Sequence, residues 1–516
     1  MIHRSPLPDV EIPDLPLTTY VLAGAQGDKP ALIDGGSGRT LTYARLDSAV
    51  RSLAGGLVAS GFGKGDVLAL MAPNVPEYAV VFHGAAMAGG IVTTINPTYT
   101  ETELTTQLRD SGARMLVTIP PLVPMAARAQ VTEIYVLGEA PGARPIEGLF
   151  GPPLAEHVPV GPDDVVAMPY SSGTTGLCKG VMLTQRNMVA NIAQMLATAQ
   201  FRPEESLVAV LPFFHIYGMQ VLMNCSLRAG ATVVTLPRFE LEQFLRVHQD
   251  YRITRSFVAP PIVLALAKHP LVDEFDLSAL TQVFSAAAPL KVDLADECGK
   301  RLGCEVVQGY GMTELSPASH ITPPGWARPG SVGVTIPNTQ TRIVDPFSGA
   351  DLGVGEEGEI WVSGPQVMKG YLNNPQATDA MIDSDGWLRT GDLGHIDADG
   401  HLYVVDRLKE LIKYKGFQVP PAELEAVLLR HPDVTDAAVV GLPDEEAGEI
   451  PVGYVTLRPG ASCTPDEVRQ FVAGQVAGYK QLRRLEVIDA IPKSASGKIL
   501  RRVLRDAAAA NPPVTS

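Results

Sequence analysis

YSSGTTGLCKG, Tyr170 to Gly180, sets hydroxyls and glycines in an unbroken run from Ser171 to Gly176 and closes them with Lys179, just after the β-prone VVAMP. Side-chain donors and uncluttered backbone N–H groups in such a run can wrap an anion, and the lysine adds a mobile positive charge. A Walker loop needs GxxxxGK[ST], lysine followed by a hydroxyl. Here Gly176 is followed by Leu177, Cys178, Lys179 and Gly180, which excludes that loop. On composition alone, the stretch also fits an ordinary surface loop.

The rest of the chain narrows the choice. At 516 residues it exceeds what one hydrophobic core organises, so two or more domains are expected, and 46% hydrophobic with 19% charged residues fits a globular enzyme. The net charge of −15 argues against nucleic acid as the main partner. Five cysteines, at 178, 225, 298, 304 and 463, form no CxxC pair, so neither a disulfide frame nor a zinc site is expected and a reducing cytoplasm is the expected home. MIHRSPLPDVEIPDLPL interrupts with prolines and acids where a signal peptide needs a continuous apolar core. AVVFHGAAMAGGIV, Ala79 to Val92, falls short of the roughly 20 residues of a membrane span and reads as a buried helix packed by small residues.

Apolar β-branched runs (VLALMAP, RMLVTI, DDVVAMPY, TVVTL, EVVQGYG) alternate with helical periodicity such as RNMVANIAQMLAT. That alternation predicts an α/β fold with parallel-rich sheets covered by helices. After about residue 330 the pattern changes to short strands with Gly, Pro and Asp turns, predicting a β-rich subdomain. From Asp406 charge density rises, with helices expected at PAELEAVLLRHP and TPDEVRQFVAGQV and strands at DAAVVGLP and GYVTL. The predicted division is a large N-terminal domain, 1–405, and a small mobile C-terminal α/β domain, 406–516.

Three more stretches follow the first in order: GYGMTE (309–314), TGD (390–392) with DRLKELIKYKGFQV (406–419), and PKSASGKILRR (492–502). Together the four resemble the adenylate-forming superfamily of acyl-CoA synthetases, aryl-CoA ligases, beetle luciferases and nonribosomal adenylation domains, over almost the whole chain. Within it, LPFFHIYGMQ, SAAAPL, QGYGMTELSP and KYKGFQVPPAELE look most like 4-coumarate:CoA ligases. Alone, GYGMTE reads equally as a Gly-rich strand-to-helix turn, KELIKYK as a charged helix end with a solvated turn, and Lys498 as a solvated lysine in a basic tail.

The resemblance implies an acid:CoA ligase working through an acyl-AMP, with ATP, Mg²⁺ and coenzyme A. It assigns the pyrophosphate portion of ATP to Ser171, Ser172, Gly173, Thr174, Thr175 and Lys179, with Thr174 and Glu314 near the magnesium. Ala287, Gln308, Gly309, Tyr310, Gly311 and Thr313 line the adenine and α-phosphate, and Asp392 with Arg407 holds the ribose. Lys498 bridges carboxylate and α-phosphate during adenylation. Rotation about a hinge at Lys409 then presents Lys413, Lys415, Gly416 and Gln418 for thioester formation, Arg238 and Lys415 meeting the CoA phosphates. His215 lies beside the acyl carboxylate and gates the thiol route.

The implied acyl pocket is Ile216, Tyr217, Gln220, Phe284, Ala286, Ala287, Gly309, Gly311, Pro317, Ala318 and Ser319, mostly small or apolar and suited to a flat ring. Cys178 stands where the family usually has proline, Ala286 where many relatives have glycine, Phe284 where plant forms often carry lysine, and Arg238 where lysine is usual. Rival readings are a medium- or long-chain fatty acyl-CoA ligase, a luciferase-like enzyme, and a non-catalytic adenylate-binding sensor. A nonribosomal adenylation domain is disfavoured because FFHIYG carries no acid for an α-ammonium.

Overall fold

VLALM folds as the strand Val67–Met71, buried along its whole length, between parallel partners Ile91–Thr94 and Met115–Thr118. A strand covered on both faces needs a continuous apolar run rather than alternation, and this sequence supplies it. The computed structural model describes residues 1–24, 27–129, 131–172, 178–408, 410–415, 417–444, 446–494 and 497–510. The described chain forms two compact units.

The larger unit, 2–341 with 362–389, holds two nine-stranded sheets. In the second, Thr232–Thr235, Ser206–Ala209, Arg255–Val258, Gln282–Ser285 and Glu305–Gly311 are consecutive parallel neighbours. One apolar core joins Leu68 and Val92 of the first sheet, Phe82, Met188 and Ile192 of helices, and Val208, Val234 and Phe257 of the second. Each such Leu- or Phe-sized side chain contributes about 1.5–3 kcal/mol on burial.

The expected small-residue helix is Pro76–Met87, buried at every position but Glu77. Its glycine is sterically required: a Cβ on Gly84 would stand 2.8 Å from Leu53 Cδ2, on the neighbouring helix Tyr43–Ala59. RNMVANIAQMLAT lies in the helix Gln185–Ala199, capped reciprocally by Thr184 and Asn187. FFHIYGMQ leads instead into a π-helix, Gly218–Cys225.

The smaller unit comprises Arg342–Trp361 and Thr390–Ser516, with Met1. Its strand Val434–Asp444 divides side chains by parity: Ala437 and Val439 join Leu424, Leu428, Val468 and Val472 on one face, while Ala438 and Val440 join Ile491 and Leu504 on the other. That is the two-residue period of a strand with both faces covered. The expected helices appear as Pro421–Leu428 and Pro465–Ala473. KELIKYK is not a helix end: Ile412–Tyr414 is a strand paired with Phe417–Val419, Lys413 opposite Gln418. The basic tail is a helix over Arg501–Ala510. No described helix is long and apolar enough to cross a membrane.

Candidate active site

The opening stretch folds back on itself. Tyr170–Ser172 pairs antiparallel with Cys178–Thr184, placing Ser171 opposite Lys179 and Ser172 opposite Cys178. Gly173, Thr174 and Thr175 lie outside the described residues. Ser171 Oγ donates to Glu314 Oε1 at 3.0 Å, and the Tyr371 hydroxyl donates to the same oxygen at 2.8 Å. The Lys179 ammonium lies over the Tyr371 ring, 4.8 Å from its centroid. Burial and then Glu314 push the Tyr371 phenol well above its usual range, so it stays a donor.

Glu314 is only 4% exposed and sits on the short helix Thr313–Leu315, immediately beyond the strand Glu305–Gly311. GYGMTE is thus a strand running into a single helical turn. Tyr371 was invisible to motif reading: YLNNP carries no chemical pattern, and only the pairing of Tyr371 with Val181 brings it here. Cys178 is exposed, with the Tyr99 hydroxyl 3.9 Å from its sulfur.

Of the implied adenine and acyl residues, Phe284, Ala286, Gln308 and Gly309 lie at the carboxyl ends of two parallel strands, where Phe284 pairs with Val307 and Ser285 with Gln308. Open parallel sheets bind ligands at such ends. Gln308 Oε1 accepts from the Leu290 N–H at 3.2 Å, and the Gln308 carbonyl accepts from the Thr322 hydroxyl at 2.8 Å. A Cβ on Gly309 would stand 2.6 Å from Phe284 Cζ, and one on Gly311 would stand 2.0 Å from the Pro317 carbonyl oxygen. Both glycines are therefore set by close approach, and the one at Gly309 leaves room for the Phe284 ring.

The Tyr217 hydroxyl donates to the Phe284 carbonyl at 3.4 Å, and His215 Nδ1 accepts from the Tyr217 N–H at 3.3 Å. Ile216 is buried, Ala286 and Ala287 are half-buried, and Ala287 adopts φ +75°. Tyr310 lies 6.0 Å from His320, whose Nδ1 is 3.0 Å from Ser319 Oγ. Ala318 is clasped by Asn191, which donates to its carbonyl at 3.0 Å. Gln220 is fully buried, its Nε2 donating to the Met188 carbonyl at 2.8 Å and its Oε1 accepting from Asn224 at 2.9 Å. Arg238 is exposed beyond the strand Thr232–Thr235.

Within the smaller unit, Asp392 pairs with Arg407 across two strands, Oδ1 to Nε 3.1 Å, and its backbone N–H donates to Thr390 Oγ1 at 3.1 Å. The carboxylate is held by a guanidinium and largely buried. The Lys498 carbonyl accepts from Ser494 N–H at 2.8 Å, and Lys493 bridges to Ile499. Lys413 and Lys415 are exposed, the latter at φ +48°. Lys409, Gly416 and the Gln418 side chain lie outside the described residues.

Sequence reading also missed Arg501, which bonds Glu425 at 2.6 Å, Glu410 at 2.8 Å and the Val439 carbonyl at 3.2 Å. Its signal was faint, an arginine in a basic run.

The family model described as AMP-binding enzyme matches residues 21–372, and that described as AMP-binding enzyme C-terminal domain matches 423–498. The chain is 44% identical to 4-coumarate–CoA ligase 1 of Petroselinum crispum over 98% of its own length and 96% of the relative's. It is 43% identical to 4-coumarate–CoA ligase 3 of Oryza sativa subsp. japonica, over 99% and 96%. The crystal structure of ATP-bound MatB from Rhodopseudomonas palustris superposes with TM-score 0.89 at 30% identity, over 96% of this chain and 99% of that one. The motifs, the glycine-lined strand ends and the matched length agree, and the chain belongs to the AMP-binding enzyme family.

Proposed function

We propose that this chain is an ATP-dependent acid:CoA ligase that activates 4-coumarate- and cinnamate-type acids through an acyl-AMP. A carboxylate resists nucleophiles because its charge repels them and oxide is a poor leaving group. In the first step its oxygen attacks the α-phosphorus of ATP, and the bond to pyrophosphate breaks. In the second the CoA sulfur attacks the acyl carbon, its proton is lost, and the bond to AMP breaks.

The observation that carries the reading is the Glu314 carboxylate gathering Ser171 and Tyr371, with Lys179 over the Tyr371 ring. It is a cluster of hard oxygen donors beside a fixed cation, formed where a strand-end hairpin meets the carboxyl ends of a parallel sheet. Mg²⁺ suits such donors, and Glu314, which the resemblance assigns to it together with Thr174, fits it; when bound, it would supply positive charge against the phosphate oxygens. Lys179 and the Tyr170–Gly180 hairpin orient the β- and γ-phosphates, and Asp392 with Arg407 the ribose. Lys498 supplies the ammonium of the first step, and Lys413, Lys415 and Gln418 the face used in the second.

The near-full-length identity to relatives named 4-coumarate–CoA ligase supports an aryl acid. Pyrophosphate release measured with a panel of aryl and fatty acids, with and without CoA, tests the reading. Failure to form any acyl nucleotide with ATP and Mg²⁺ would end it, and faster turnover of alkanoic than of cinnamic acids would reassign the substrate.

A further inference from the structure

His431 and Asp433 lie on the connection from the helix Pro421–Leu428 into the strand Val434–Asp444, and Cys463 lies just before the helix Pro465–Ala473. One potential ligand atom from each of the three side chains stands within 4.8 Å of the others, in a half-buried place. None of the three has a role in the acid-activating chemistry proposed above.

The cluster is oriented rather than casual. His431 Nδ1 accepts the Asp433 N–H at 3.2 Å, a bond that a cation taking the lone pair of that nitrogen would replace. The imidazole meets the Phe471 ring edge-on at 5.0 Å, which limits its rotation. Arg458 Nε stands 3.7 Å from Asp433 Oδ1, beyond hydrogen-bond length, so that ion pair is loose and does not commit the carboxylate. Glu467, the other acid close to His431, is tied to Thr464 in a capping box.

Imidazole, thiolate and carboxylate together form a donor set soft enough for Zn²⁺ and too soft for Mg²⁺. Zinc bonds of about 2.0–2.3 Å place tetrahedral ligands roughly 3.5 Å apart. From a separation of up to 4.8 Å, the cluster would therefore need to contract by up to about 1.3 Å, in two connecting segments. Cation binding would release the thiol proton to solvent, leaving the thiolate as ligand.

We propose that His431, Asp433 and Cys463 form a binding site for a zinc-class divalent cation in the C-terminal part of the chain, with water completing the tetrahedron. The cation ties the loop after one helix to the start of the next, so it stabilises this unit without entering the reaction.

Tag-free full-length protein titrated with Co²⁺ should develop a thiolate-to-metal charge-transfer band, and should take one equivalent of Zn²⁺ from a chromophoric chelator. Both should persist in Cys178→Ser, which removes the exposed thiol, and disappear in Cys463→Ser. Zinc should also protect Cys463 of the unmutated protein from alkylation, mapped by mass spectrometry, a readout that does not depend on a variant folding. Absence of the band, zinc uptake indifferent to Cys463→Ser, or equal alkylation of Cys463 with and without zinc would overturn the site.

Discussion

The Tyr371 hydroxyl donates to Glu314 Oε1 at 2.8 Å while Ser171 Oγ donates to the same oxygen at 3.0 Å. Two donors on one carboxylate oxygen fix its rotation, and they come from segments far apart in sequence. Tyr371→Phe keeps the ring under Lys179 and removes one hydrogen bond to a charged group, worth about 1.5–3 kcal/mol. Pyrophosphate release should fall by roughly 10- to 100-fold, and melting temperature should fall as well, because the buried Glu314 carboxylate loses a donor. Glu314→Gln, which removes the charge itself, should fall further and raise the KM for Mg-ATP. A Tyr371→Phe rate equal to the parent's would detach this hydroxyl from function.

Lys498 tests the division of labour between the two half-reactions. Lys498→Ala should cost about 10² to 10³ in adenylate formation, the effect of losing one donor to developing charge. The same variant should still turn supplied coumaroyl-AMP and CoA into thioester. Lys413→Ala should show the opposite pattern, since Lys413 lies on a different segment, the strand Ile412–Tyr414. Equal losses in both half-reactions for both variants would refute the division.

Local pattern made much of this readable, and distance in sequence hid the rest. Val67–Met71, Glu305–Gly311 and Gln185–Ala199 follow from runs and periods that neighbours along the chain determine. KELIKYK was ambiguous because Ile412–Tyr414 becomes a strand through pairing with Phe417–Val419 and with Gly448–Leu457, partners that its own three residues do not announce by alternation. Tyr371 and Arg501 were illegible for a stronger reason. Their partners Glu314 and Glu425 lie 57 and 76 residues away, and no motif links them. The π-helix at Gly218–Cys225 likewise depends on packing, with all eight residues buried, where sequence shows only an ordinary apolar run.

Ala286 tests the acyl slot. It continues the strand that carries Phe284, its N–H donating to the Val258 carbonyl at 3.2 Å, so its methyl is fixed in place. One methyl in a tight slot discriminates by about 1–3 kcal/mol. Cinnamate and 4-coumarate should be good substrates and bulkier methoxylated acids poor ones. Ala286→Gly should then raise kcat/KM for ferulate relative to 4-coumarate by roughly tenfold or more. An unchanged ratio would place the methyl outside the slot.

Acid should destabilise the larger unit through histidines buried in neutral form. Burial lowers His83 and His248 to about 4 and His320 to about 3. In the unfolded chain each returns to about 6.5, so between those values the unfolded state binds more protons than the folded one. Stability is thus fully present above pH 6.5 and is lost as pH falls toward 4, by on the order of 3 kcal/mol per histidine as an upper bound. Melting temperature should drop across that window. His248→Gln should flatten the slope even where it lowers the starting value; a parental slope in that variant would remove His248 from the account.

Arg501 should matter to the smaller unit out of proportion to its place in a basic run. Its guanidinium lies between Glu425 and Glu410, all three largely buried, and also reaches the Val439 carbonyl. Burial pushes the Glu425 carboxyl up, and Arg501 pulls it back. Removing one partner of a buried pair leaves an uncompensated charge, so Arg501→Met should destabilise this unit by about 3–5 kcal/mol. Without the guanidinium the folded-state pKa of Glu425 rises further above its unfolded value, so the folded state binds the extra proton and the variant regains stability as pH falls. Glu425→Gln added to Arg501→Met should recover part of the loss at neutral pH, because the buried charge is then gone. Hydrogen exchange along Val434–Asp444 and Pro421–Leu428 reads this directly. Protection unchanged in Arg501→Met would mean that the three charges are solvated and that this arginine does not hold the unit together.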